Sequence, residues 1–136
     1  MLVKSLTVLL TLVPHMCNVL VIDDERMILG LVEQVLKRMD YKVETADNGR
    51  LGIDKFDTGN FDLVITDICM PGADGIQVVD HIRKSRRKAT PVIGMSGTPW
   101  KLANHIFDQV IPKPFPVARL MESAKTLTAK GFPHRL

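Results

Sequence analysis

Residues 64–75 read VITDICMPGADG. Val64, Ile65 and Thr66 are residue types favoured in strands, and they end in a carboxylate, Asp67. A loop containing Met70, Pro71, Gly72 and Gly75 follows at once. An acid at the tip of a buried strand costs desolvation free energy, so the chain must have a use for its charge.

The pattern on either side sets the fold. FDLVIT (61–66) is the strand that delivers Asp67. Upstream, VLVI (19–22) is a short continuous apolar run, as in a strand buried on both faces. Ile28, Leu31, Val32, Val35, Leu36 and Met39 recur at helical spacing, which predicts a helix over 25–39. KVETA (42–46) alternates as a strand. The next helix opens at Asp47-Asn48-Gly49, with Gly49, Gly52, Ile53 and Phe56 on its inner face. An Asn-Gly hairpin turn is the competing reading, rejected because the apolar spacing that follows is helical.

Downstream, Ile76, Val79 and Ile82 mark a helix over 75–86, and PVIGM (91–95) a fourth strand. A short helix follows GTPW (97–100), then a brief strand near QVI (109–111). The last helix spans 116–130, with Pro116 in its first turn, a stripe of Val117, Leu120, Met121, Ala124 and Leu127, and Gly131 as its stop. Repeated β-α units with helical crossovers predict a doubly wound parallel five-stranded sheet, helices on both faces. No internal repeat, low-complexity linker or second domain stands out.

Composition narrows the function. The 136 residues are 46% hydrophobic and 24% charged, which suits one globular domain. The net charge of +3 does not by itself imply nucleic acid. The dense basic run, Arg83-Lys84-Ser85-Arg86-Arg87-Lys88, ends a helical pattern, where cations complement the dipole and are solvated. No aromatic residue is interleaved there for base stacking. Cys17 and Cys69 make no disulfide framework, so a reducing, cytoplasmic setting is expected. Neither these cysteines nor the four scattered histidines show zinc-ligand spacing.

Residues 1–17 stand apart. Lys4 ahead of a short apolar run has the look of a weak signal peptide, but no small-residue cleavage site follows and the run is too short to span a membrane. Met16 sits directly before CNVLVIDDE. Residues 1–17 are therefore expected to be a dispensable N-terminal extension, consistent with an upstream start codon. Residues 18–131 form the domain and 132–136 a tail.

In an open parallel sheet, ligands bind beyond the carboxyl ends of the strands. Here those ends carry Asp23-Asp24, Asp67, Ser96 and Lys113. Three carboxylates brought together repel and raise one another's pKa unless a cation joins them. Hard oxygen donors without thiolate or imidazole point to Mg²⁺. Such a site suits a phosphoryl group, with an aspartate able to act as nucleophile and form an acyl phosphate. Singly, an Asp at a strand end is usually a helix cap, and a Ser or Lys there is usually solvated. The joint set is hard to assign to chance.

This set resembles the CheY-like receiver domain of two-component response regulators. VLVIDDE resembles the family's acidic pair, VITDICMPGADG its phosphoacceptor strand and loop, IGMSGT its hydroxyl strand and IPKPF its lysine strand. The likeness runs from about Asn18 to Lys130. It implies a flavodoxin-like (βα)5 fold with strand order 2-1-3-4-5. It implies Asp67 as the phosphorylated residue, with Mg²⁺ held by Asp24 directly, by Asp23 mainly through water, by Asp67, and by the backbone carbonyl of Cys69. Ser96 and Lys113 would hold the phosphoryl oxygens, and Gly97 would keep the approach uncluttered. Pro114 fits the family's usual cis peptide. The implied function is that of a stand-alone, cytoplasmic phosphorelay module rather than an enzyme, capable at most of self-phosphorylation from small donors and self-dephosphorylation. Its implied partners are a sensor histidine kinase or phosphotransfer protein and a downstream protein target, with no DNA-binding domain and no membrane.

Residue order and loop composition separate this chain from three alternatives. A haloacid-dehalogenase-like phosphatase uses the same residue types but places its nucleophile first, as Asp-x-Asp. A flavodoxin-like flavin binder needs a Ser/Thr/Gly-rich phosphate loop where this chain has DDERM. A phosphorylation-independent adaptor of receiver fold would not need the intact set. Two departures from the family stand out. Ser96 and Lys113 are 17 positions apart, short of the family pattern by about one helical turn, so the helix between the fourth and fifth strands is expected to be shortened. Val110 occupies the usual aromatic switch position and has no ring to move, so segment 97–109 is expected to carry the switch. Trp100 in that segment reads equally as a partner contact or as core.

Overall fold

A computed structural model describes residues 16–70, 72–99 and 106–129. Within them, β1 (Asn18–Ile22), β2 (Lys42–Ala46), β3 (Leu63–Asp67), β4 (Val92–Ser96) and β5 (Gln109–Pro112) form one parallel sheet in the order β2-β1-β3-β4-β5. The helices are α1 (Arg26–Arg38), α2 (Gly49–Thr58), α3 (Gly75–Arg83) and α4 (Val117–Thr128). This is the doubly wound, flavodoxin-like architecture expected from the sequence. The expected helix after GTPW, Trp100 and Gly131 lie outside the described residues, as does most of the 1–17 extension.

The continuous apolar strands are explained by their two covered faces. Val19 and Val21 pack with Val32 and Leu36 of α1 and with Leu120, Ala124 and Leu127 of α4. Leu20 and Ile22 point the other way, into Phe56 of α2 and Val78, Val79 and Ile82 of α3. Alternation along each strand thus feeds two separate cores, and each fully buried aliphatic side chain contributes roughly 1.5–3 kcal/mol. No helix among the described residues is long and apolar enough to cross a membrane.

Asn48 caps α2 by accepting from the Leu51 amide at 2.8 Å. Asp74 and Gln77 form a reciprocal capping box at the start of α3. The glycines of α2 permit close packing: a Cβ on Gly52 would press into Ile22, and one on Gly49 into the Ala73 backbone.

Several expectations need correction. α3 stops at Arg83, not 86, because the Arg83 side chain turns inward. Its guanidinium donates to the carbonyls of Lys88 (2.8 Å), Thr90 (2.7 Å) and Ile106 (2.9 Å) and to Asp108 (2.8 Å). Arg83 is therefore not one of the solvated cations. Ile76, Leu31 and Val117, expected on inner faces, are exposed, and Val78 takes the inward place of Ile76. Pro116 caps α4 instead of occupying its first turn. Next to β1, the Cys17 carbonyl accepts from the Lys42 amide at 2.9 Å.

Candidate functional site

The parallel register brings the carboxyl ends of β1, β3, β4 and β5 to one edge. Asp23 directly follows β1 and is fully buried, its amide donating to the Ala46 carbonyl at 3.1 Å. Asp67 is the last residue of β3 and is also buried. Ser96 ends β4, buried, with its hydroxyl accepting from the Thr98 amide at 3.0 Å. The Lys113 amide donates to the Ser96 carbonyl at 2.8 Å, which fixes the lysine's root beside the strand ends. The Lys113–Pro114 peptide is cis.

The Lys113 side chain joins the acids. Its Nζ lies 2.8 Å from Asp23 Oδ2, 3.3 Å from Asp67 Oδ2 and 3.4 Å from Glu25 Oε1. Oxygens of Asp23, Glu25 and Asp67 all lie within 4.8 Å of one another. The expected convergence of Asp23, Asp67 and Lys113 is thus present. Asp24 is not in that group; the third acid there is Glu25, exposed like Asp24. The missed residue carried a signal, the third acid of DDE, but strand alternation lapses beyond Ile22 and does not say which acid reaches Lys113. The Glu25 amide also donates to Asp23 Oδ1 at 2.9 Å, folding the loop back on the site.

Electrostatics follow from burial and crowding. Burial raises the pKa of Asp23, with the Lys113 hydrogen bond opposing it. Burial, reinforced by the Asp23 charge, pushes Asp67 up to about 6, while Lys113 and the Cys69 amide pull it down. Burial works against the Lys113 charge, but the hydrogen bonds and charges of Asp23 and Asp67 outweigh it and hold its pKa above the usual range. One ammonium faces three carboxylates. The all-oxygen donor set and the surplus negative charge fit Mg²⁺.

The remaining expected residues sit around this centre. Cys69 is exposed, two positions past Asp67. A side chain at Gly97 would meet open space, so packing does not demand a glycine there. Gly75 is the more constrained position, because a Cβ on it would press on the Asp67 carbonyl oxygen and lie 2.7 Å from Ile68 Cα. Val110 lies in β5, half-buried against the core that Phe107 and Ile68 share.

Comparison with known proteins agrees with this geometry. Residues 19–125 match the family model of the response regulator receiver domain. The chain is 37% identical over 120 residues to the transcriptional regulatory protein ResD of Bacillus subtilis, covering 84% of this chain and 49% of ResD. It is 31% identical over 111 residues to the response regulator ArlR of Staphylococcus epidermidis, covering 78% of this chain and 50% of ArlR. The chain therefore spans about half the length of these curated relatives. The response regulator TrrA of Thermotoga maritima, solved in complex with Mg²⁺-BeF, superposes with a TM-score of 0.76 at 36% identity, covering 82% of this chain and 99% of TrrA. The chemotaxis response regulator CheY4 of Vibrio cholerae gives 0.78 at 28% identity, covering 83% and 99%.

The chain belongs to the response regulator receiver domain family, the phosphoacceptor modules of two-component signalling. Its domain is a phosphoacceptor, not an enzyme acting on separate substrates, and membership implies a histidine kinase or phosphotransfer protein as donor.

Proposed function

We propose that Asp67 takes a phosphoryl group from a phosphohistidine of a sensor kinase or phosphotransfer protein and passes the signal on as a change of conformation. The observation that carries this is Lys113 Nζ held between Asp67 and Asp23 at the carboxyl edge of the sheet. A carboxylate oxygen of Asp67 attacks phosphorus, the phosphorus–nitrogen bond breaks, and the donor imidazole leaves with a proton. Burial keeps water off the nucleophile. Lys113 neutralises charge on the incoming oxygens, and the Ser96 hydroxyl, now held by the Thr98 amide, turns to hydrogen-bond one of them.

In this reading Asp23, Asp24, Asp67 and the Cys69 carbonyl would hold Mg²⁺, which would supply charge neutralisation for the phosphoryl oxygens. TrrA holding Mg²⁺-BeF supports this, as does the crowding of carboxylates here. Glu25 grips the outer side of Lys113. The domain runs over 18–131, and the sparse cysteine content suits a reducing, cytoplasmic setting. With Val110 in place of an aromatic ring, the signal leaves through the 97–109 segment.

The test is phosphotransfer from a phosphorylated histidine kinase, followed by radiolabel. Label should move to the chain with Mg²⁺ and stay on the kinase with chelator. Transfer undiminished by chelator would count against the site.

A further inference from the structure

The basic run of residues 83–88 has no role in the phosphoacceptor site. α3 starts against the Asp67 carbonyl and runs nine residues, about 13 Å, to the opposite end of the sheet. There the chain leaves the helix in turns that display Lys84, Arg86, Arg87 and Lys88, all exposed. These turns are held firmly from inside. Arg83 bonds the Lys88 and Thr90 carbonyls, and the Ser85 hydroxyl donates to the Ile82 carbonyl (2.7 Å) and accepts from the Arg87 amide (3.1 Å). The Thr90 hydroxyl donates to the Arg87 carbonyl at 2.7 Å. The cations thus stand on a pre-organised loop, which lowers the ordering cost of binding.

The loop borders a cleft of about 730 Å³, whose walls include Phe56 and His81. Arg86 and Arg87 also line a second cleft of about 350 Å³ that reaches Asn60 and Pro91. Three acids sit around the two clefts, each engaged: Asp80 pairs with Lys84 at 2.9 Å, Asp57 bonds His81 Nε2 at 2.7 Å, and Asp62, in the second cleft, accepts from the Asn18 amide at 2.9 Å. The Arg87 guanidinium donates to the Gly59 carbonyl. Arg86 and Lys88 have no carboxylate partner among the described residues.

We propose that this loop and its cleft are a docking site for an acidic segment of a partner protein, separate from the phosphoacceptor end. Carboxylates spaced along a peptide complement Arg86 and Lys88 and leave room for Asp57, Asp62 and Asp80. A nucleic-acid backbone, with a charge at every step, would meet those acids and find no exposed aromatic for stacking among the described residues.

Fluorescence anisotropy of a labelled decapeptide alternating glutamate and serine tests this at low and moderate salt. The glutamate peptide should bind at least about tenfold more tightly than its glutamine counterpart, and more weakly as salt screens it. R86E/K88E should weaken binding by about tenfold or more with an unchanged circular dichroism spectrum. R86Q/K88Q serves if charge reversal disturbs folding, and should lose affinity in the same direction. The proposal is overturned if the glutamate peptide binds no better than the glutamine one. Variants that bind like the parent chain, or duplex DNA that binds more tightly than the peptide, would overturn it equally.

Discussion

Asp67 pays for its position in protonation. Its pKa of about 6, raised from 3.8 by burial and then by Asp23, means that the folded chain binds more protons than the unfolded chain between those values. Stability therefore falls as pH rises through that window, and the full penalty is present above it. Asn at the same position is neutral throughout. Without divalent cation, Asp67→Asn should match the parent chain near pH 3.5 and exceed it by roughly 2 kcal/mol at pH 7. Denaturant melts at the two pH values read this; an advantage independent of pH would show that burial does not penalise the carboxylate. The glycines give a second residue-scale contrast. Gly75→Ala should destabilise by about 3 kcal/mol, because its Cβ meets the β3 backbone, which cannot yield as a flexible side chain would. Gly97→Ala should be within about 0.5 kcal/mol of neutral, since its Cβ enters open space. Equal losses at both positions in thermal melts would contradict the close approach of α3 to Asp67.

Elements show where local pattern suffices and where it does not. β2 was legible to the residue, because Val43 and Thr45 alternate with exposed Lys42 and Glu44. The end of α3 was not, since the basic residues after Ile82 carry no local stop signal and the helix ends at a side chain reaching partners up to 25 positions away. The contact of Glu25 with Lys113 was not legible for a related reason, as periodicity orients side chains within a strand and says nothing past its end. Lys113 was placed correctly from the strand ends alone, because a parallel register leaves little choice of where β5 delivers it. Replacing Arg83 by Met should cost about 2–4 kcal/mol, since carbonyls of Lys88, Thr90 and Ile106 lose their donor together. Amide exchange should speed in residues 86–90 and 106–108 and change little in β1. Unchanged exchange in both segments would deny Arg83 its role at the end of α3.

At the scale of the whole molecule, the two cores make the sheet a fixed frame, and the strand order makes one of its edges a site. Neither core contains a residue of the acidic group, so the chemistry hangs on where strands end. The opposite edge carries the basic loop, which places donor chemistry and the proposed acidic partner at opposite ends of α3. The central claim is that Asp67 is the phosphoacceptor, and intact-mass spectrometry after incubation with a small phosphodonor tests it most directly. The parent chain should gain one phosphoryl group with Mg²⁺ and none with chelator, and Asp67→Asn should gain none in either. Labelling of Asp67→Asn equal to that of the parent chain would contradict the account.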